Sequence, residues 1–97
     1  MFRSSIERKL TACTARLNRA RADLAVLDEQ RVFFNDDADD ARVRALVSDS
    51  PMAGHDHRDA QRHADAMARS RVALVATIAD LEQTVDTLLD RLAPSRS

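Results

Sequence analysis

The residues of this chain most able to do chemistry crowd into its middle: Asp36, Asp37, Asp39 and Asp40 in one short run, then His55, His57 and His63 interleaved with Asp56 and Asp59. Carboxylates set this close repel one another at neutral pH, so they persist where a cation or a basic partner surface benefits from them. The plain alternative is a solvated loop whose Asp residues cap helices. A calcium loop of the EF-hand kind does not fit, because its glycine and its distal glutamate are both missing. Among the histidines, Asp59 and His63 are spaced to share one helix face, as metal ligands on helices do. His55 and His57, however, fall in an expected turn and no Cys or Glu joins them, so no metal and no cofactor is assigned.

Catalytic patterns are harder to find. There is no Gly-rich phosphate loop and no Ser-centred nucleophile elbow, and no catalytic residue is assigned. Cys13 is the single cysteine, which excludes an internal disulfide. It falls among apolar residues of helical period, where a lone thiol acts as a small hydrophobe rather than as a nucleophile in an electropositive setting. Arg8, Arg16 and Arg19 face away from that apolar series and could meet a polyanion. Against nucleic acid stand a net charge of −1, the absence of Tyr and Trp, and the lack of any reading motif. The expected class is a non-enzymatic binding protein.

What must position these residues is helix. Apolar residues recur at alternating spacings of four and three through Ile6, Leu10, Cys13, Leu17, Ala20, Leu24 and Leu27, with Arg31 and Phe34 closing the series. A second series runs through Ala60, Ala64, Met67, Arg71, Leu74, Ile78, Leu81, Val85, Leu88 and Leu92. Two helices pack along their whole length through such seams. The chain has 97 residues, one Gly and two Pro, with 44% apolar residues and three aromatics, so a single helical domain spanning residues 1–97 is expected. No apolar run reaches the ~18 residues that would cross a bilayer, and the start lacks the apolar core of a secretion signal. The expected compartment is the cytoplasm, with no membrane contact. The excess of Arg over Lys is what a GC-rich bacterial genome produces.

Charge orients the two helices. Residues 1–22 carry a net +5, 23–40 carry −6, 41–71 carry +2 and 72–97 carry −2. An antiparallel fold-back sets each basic block against an acidic one, whereas a parallel pairing sets basic on basic. The expected fold is therefore an all-α antiparallel coiled-coil hairpin, with a register pairing Ile6 with Leu92, Leu17 with Leu81 and Leu24 with Leu74. Helix one is expected over residues 4–34, capped by Ser4 or Ser5. The turn-favouring run Asn-Asp-Asp-Ala-Asp-Asp then predicts a break, followed by a short helix over 37–48 folded onto Phe33 and Phe34 at the closed end. Helix three is expected over 56–93, since Gly54 argues against the earlier start offered by Ser50 and Pro51.

Beside its seam the last helix carries a second apolar stripe, Ala68, Val72, Val75 and Ala79, wider than one partner helix can cover. A second copy, giving a four-helix homodimer, is the expected cover, with a different protein or the short helix as alternatives. Arg31 and Arg71 occupy seam positions that call for hydrophobes. Either their stems cover apolar surface while the guanidinium groups reach Asp28, Asp36 or Asp65, or they bind an anionic partner group.

One family resemblance arises at the acidic corner. Asp36, Asp39 and Ala41 reproduce the Asp-x-x-Asp-x-Ala tip motif, so the segment resembles the DksA/TraR-type proteins over six residues. The resemblance implies a coiled coil entering the secondary channel of bacterial RNA polymerase and presenting carboxylates near its catalytic magnesium. The four-cysteine zinc finger of that family has no counterpart here. The leading expectation from the residues is a small protein-binding module or adaptor. It would dock an unidentified partner through Asp36, Asp37, Asp39 and Asp40, with Arg31, Arg71, Val72, Val75 and Ala79 as further contacts. The alternative, carried by the resemblance, is a transcription modulator with RNA polymerase as partner.

Overall fold

The computed structural model describes residues 2–93 and, among these, contains two helices: α1, Phe2–Val47, and α2, Pro51–Leu92. Helices of 46 and 42 residues at 1.5 Å per residue are about 69 and 63 Å long, which accounts for a rod measuring 73 × 22 × 15 Å. They run antiparallel, joined by residues 48–50. Ser48 and Ser50 make this reversal tight: the Ser48 hydroxyl accepts from the Ser50 N–H at 3.1 Å, and Ser50 caps α2 by accepting from the Met52 N–H at 3.2 Å. Pro51 follows at the first helical position, where its missing N–H costs nothing. At the other end, the Ala93 N–H donates to the carbonyls of Leu89 and Asp90. Pro94, expected to stop this helix, lies outside the described residues.

Contacts across the pair are those of an antiparallel arrangement. Cys13 meets Leu81, Asp28 meets Arg71, and Phe34 meets His63. In the open half, Cys13, Leu17, Ala20, Leu81 and Leu88 form one core cluster, flanked by Ile6, Leu10, Leu74, Ile78 and Val85. The Cys13 thiol is buried and free and donates to the Leu81 carbonyl, in keeping with a structural role. Toward the linker a second cluster consists of Ala38, Ala41, Ala60 and Ala64, with Phe34 packed beside it. Alanine on both sides lets two helices approach more closely than leucine does. Among the described residues no helix is long and apolar enough to cross a membrane.

Three expectations about the elements are corrected, the smallest being that Ser4 and Ser5 lie inside α1, which begins at Phe2, rather than capping it. There is no break at residues 35–40 and no separate helix over 37–48, because α1 passes through both as one element. The three-four spacing in fact continues past Phe34 through Ala38, Ala41 and Ala45, so interrupting the helix would sacrifice the buried alanine cluster. Asn and Asp in a helix interior disfavour it by only up to ~0.7 kcal/mol each, and packing overrides that. The last three turns of α1 consequently do not fold back: Leu46 and Val47 stay exposed at the reversal, together with Met52 of α2. The last correction is that α2 starts at Pro51 rather than at residue 56. Gly54 is tolerated inside its first turns, where an added Cβ would meet only the tip of Arg58 at 3.4 Å.

Candidate protein-interaction surface

Because α1 is unbroken, the acidic run is a turn of helix rather than a loop. Ala38 is buried in the seam at 4% exposure, and Asp36, Asp37, Asp39 and Asp40 fan out over the opposite, solvent side. None of the four makes an ion pair among the described residues. Within the turn, Asp36 and Asp40 are four apart, and Asp36–Asp39 and Asp37–Asp40 three apart. Each such like-charge pair disfavours an isolated helix by ~0.2–0.5 kcal/mol.

The turn divides between two edges of the rod. Asp37, with Arg44 of α1 and Asp56, Asp59 and His63 of α2, lines a cleft of about 250 Å³ floored by Ala41 and Ala60. A neighbouring open hollow of about 430 Å³ is lined by Phe33, Phe34, Asp36, Asp37 and Asp40. Phe34 is half-buried and meets the His63 ring edge-on, with centroids 6.1 Å apart. Phe33 stands out at 76% exposure, the lip of the acidic hollow. In Asp59, a 2.7 Å hydrogen bond from Arg62 holds the carboxyl below its usual range, helped by the nearby charges of Arg62, His63 and His55.

The three histidines are dispersed rather than gathered. His55 is exposed, His63 meets Phe34 edge-on, and His57 turns into the seam with Nδ1 buried and without a hydrogen-bond partner. Among the described residues no three His, Cys, Asp or Glu side chains converge on a common point.

Between the two core clusters lies a charged layer. Arg71 Nε donates to Asp28 Oδ1 at 2.8 Å, and Arg31 Nη1 approaches the same oxygen at 3.7 Å. Both seam arginines therefore turn to Asp28, with apolar stems in the seam and charged ends at its margin. The Asp28 carboxyl lies below its ordinary value of 3.8, chiefly through the hydrogen bond from Arg71 and further through the charges of Arg71 and Arg31. A carboxylate whose folded value is depressed stabilises the fold above its unfolded value, and this is lost as pH falls through the folded one. The thermal midpoint of Arg71→Met should thus fall below that of the wild type near neutral pH. The gap should narrow as pH falls from the ordinary carboxylate value through the depressed one, where Asp28 becomes protonated in both states; circular dichroism melts across pH check this. A gap that persists in acid would assign the loss to packing instead.

The second stripe lies on the other edge of the rod. Val72 is exposed, Val75 is 40% exposed, and Ala68 is half-buried, with Ala79 one turn further on. The edge also carries Val32 of α1, which is exposed. Asp37 and Asp40 thus lie on a separate face from this stripe, whereas Asp39, one heptad after Val32, shares its edge.

The chain matches no protein-family model, no curated protein and no solved structure. Its residues alone carry the functional reading. Of the side chains singled out in the sequence, Arg31 and Arg71 are brought together, and Asp37 joins Asp56, Asp59 and His63. The Asp-x-x-Asp-x-Ala segment sits about two turns before the linker, so its carboxylates project from the side of the rod and not from its tip. Phe33 was not expected to stand exposed beside these acids. Its signal was available in the spacing, since Phe34 fills the seam and the adjacent residue must then point outward.

Proposed function

We propose that this chain is a small non-enzymatic coiled-coil binding module, an adaptor that docks a basic protein surface through Asp36, Asp37, Asp39 and Asp40. The reading rests on one observation: four carboxylates on the exposed side of a continuous helix, none with an internal ion pair among the described residues. The sequence accepts their mutual repulsion within a helix it could have built with neutral residues. A basic partner removes that repulsion and gains charge-assisted contacts. Val72, Val75 and Ala79 offer a second, apolar contact for a partner helix, and the module acts as a dimer in the cytoplasm. A rod only 15 Å across its thinnest dimension has little interior from which to exclude water, which favours recognition over catalysis.

The test is affinity purification of the tagged protein from its native cells beside an Asp36→Lys, Asp39→Lys variant. A specific partner should be retained by the wild type and lost in the variant, with helicity by circular dichroism unchanged. Equal recovery with both proteins would overturn the reading. Charge-dependent retention of RNA polymerase would turn it into the transcription-modulator alternative.

A further inference from the structure

We propose that the face of the rod bearing Phe33 is where a second copy of this chain packs, end to end reversed, so that the acidic half of each copy covers the basic half of the other. The inference deepens the proposed reading, since it names the occupant of the Asp37–Asp40 side of the acidic turn.

Charge complementarity is the first argument. Heptad position puts Lys9, Arg16, Arg19, Asp23, Val26, Gln30, Phe33, Asp37, Asp40 and Arg44 along one edge of α1, and all are exposed. Arg16 and Arg19 are three apart, as are Asp37 and Asp40, and the two pairs lie at equal distances on either side of residue 28. A twofold axis crossing the rod at that level stacks α1 on α1 of the second copy. It sets Asp37 over Arg19 and Asp40 over Arg16, twice, and places Phe33 over Asp23 and Val26 over Gln30. None of the four charges so paired has an ion pair within its own chain among the described residues. A parallel stacking would instead set Asp40 of each copy against Asp59 of the other.

On α2 the same axis finds a matching surface. The Asp28–Arg71 hydrogen bond, 2.8 Å, shows that residue 28 lies level with residue 71. Around that level the same edge of α2 presents Ala66, Ser70, Ala73 and Thr77, small or uncharged side chains spaced symmetrically about the midpoint between Ser70 and Ala73. They let α2 approach α2 closely where the twofold axis passes.

Area is the second argument. A globular chain of 10.8 kDa exposes about 5,500 Å² by the usual scaling of surface with mass, whereas this rod exposes 7351 Å². The surplus, roughly 1,800 Å², is more than the ~800 Å² per partner that a stable interface removes. No side chain among the described residues is fully buried, so a dimer would supply the interior that one hairpin lacks.

The experiment is sedimentation equilibrium on the purified chain, on an Arg16→Glu, Arg19→Glu variant, on an Asp37→Arg, Asp40→Arg variant, and on the two variants mixed. The wild type should weigh twice 10.8 kDa. Each variant alone should dissociate at least tenfold more readily, and the mixture should recover a heterodimer, because one of its charge contacts is wild type and the other is reversed on both sides. As a check independent of charge reversal, Ser70→Cys in a Cys13→Ala background should be linked to its own counterpart by a short bifunctional maleimide. A helical wild type that stays monomeric overturns the inference, and so does a dimer indifferent to both reversals, which would use the Val72 edge. Either result leaves the partner recovery tested with Asp36→Lys, Asp39→Lys to stand or fall separately.

Discussion

Replacing Asp39 by proline is expected to lower the stability of this protein by about 3 kcal/mol or more, even though the Asp39 side chain is exposed and buries nothing. The loss is a backbone effect. Within α1 the N–H of residue 39 belongs to the helix ladder, and a pyrrolidine ring there removes that bond and collides with the carbonyl one turn earlier. Placed beside Ala38 and Ala41, the resulting kink would also part the alanine cluster from Ala60 and Ala64. Asp39→Ala is the necessary control. It keeps the ladder, improves helix propensity and relieves the repulsion with Asp36, so its stability should match or exceed the wild type. Urea unfolding followed by circular dichroism separates the two. Were residues 35–40 a turn, as their composition suggests, proline would be accommodated with little change.

A comparable loss, about 2–3 kcal/mol, is expected for Leu17→Ala. Leu17 is among the most enclosed side chains of the open half, 5% exposed and clustered with Cys13, Ala20, Leu81 and Leu88. Truncation removes its apolar contacts and leaves a gap that straight helices can close only partly. The value belongs at the lower end of the usual range because solvent is never more than one layer away in a two-helix rod. Leu89→Ala deletes the same atoms from a side chain already 48% exposed and should change stability by less than about 1 kcal/mol. Against a total of about 5–15 kcal/mol for a domain, the Leu17 loss is a large fraction and should appear as a clear drop in the urea midpoint. Equal effects at both sites would mean that the seam runs along a different face.

Much of the fold was legible because a helical period repeated over many turns admits few interpretations. The antiparallel sense was legible too, since blocks of alternating charge leave only one pairing that sets opposite signs together. The hairpin's closed end was misread for a local reason. Asn35 through Asp40 have turn-forming side chains, and alanine is a weak apolar signal beside leucine, so the seam's continuation through Ala38, Ala41 and Ala45 was outweighed by composition. Gly54 misled in the same way, since its intrinsic cost in a helix is smaller than what the Ser50 cap and Pro51 return.

The candidate surfaces show the same division. That Asp36, Asp37, Asp39 and Asp40 form the densest charge of the chain, and that Arg31 and Arg71 interrupt the seam, follows from the order of residues alone. Their surroundings do not. Only the continuous α1 sends Asp37 toward Asp56, Asp59 and His63 and leaves Phe33 uncovered, and only the pairing of the helices gives both arginines one carboxylate, Asp28. The sequence by itself determined period, charge order and the sense of pairing, because these are properties of residues at short and fixed spacing. The tertiary structure decided where the helices end and which side chains meet across them. Those outcomes depend on the packing of alanine on alanine along the closed half, a weak local preference that becomes decisive when both helices supply it at the same level.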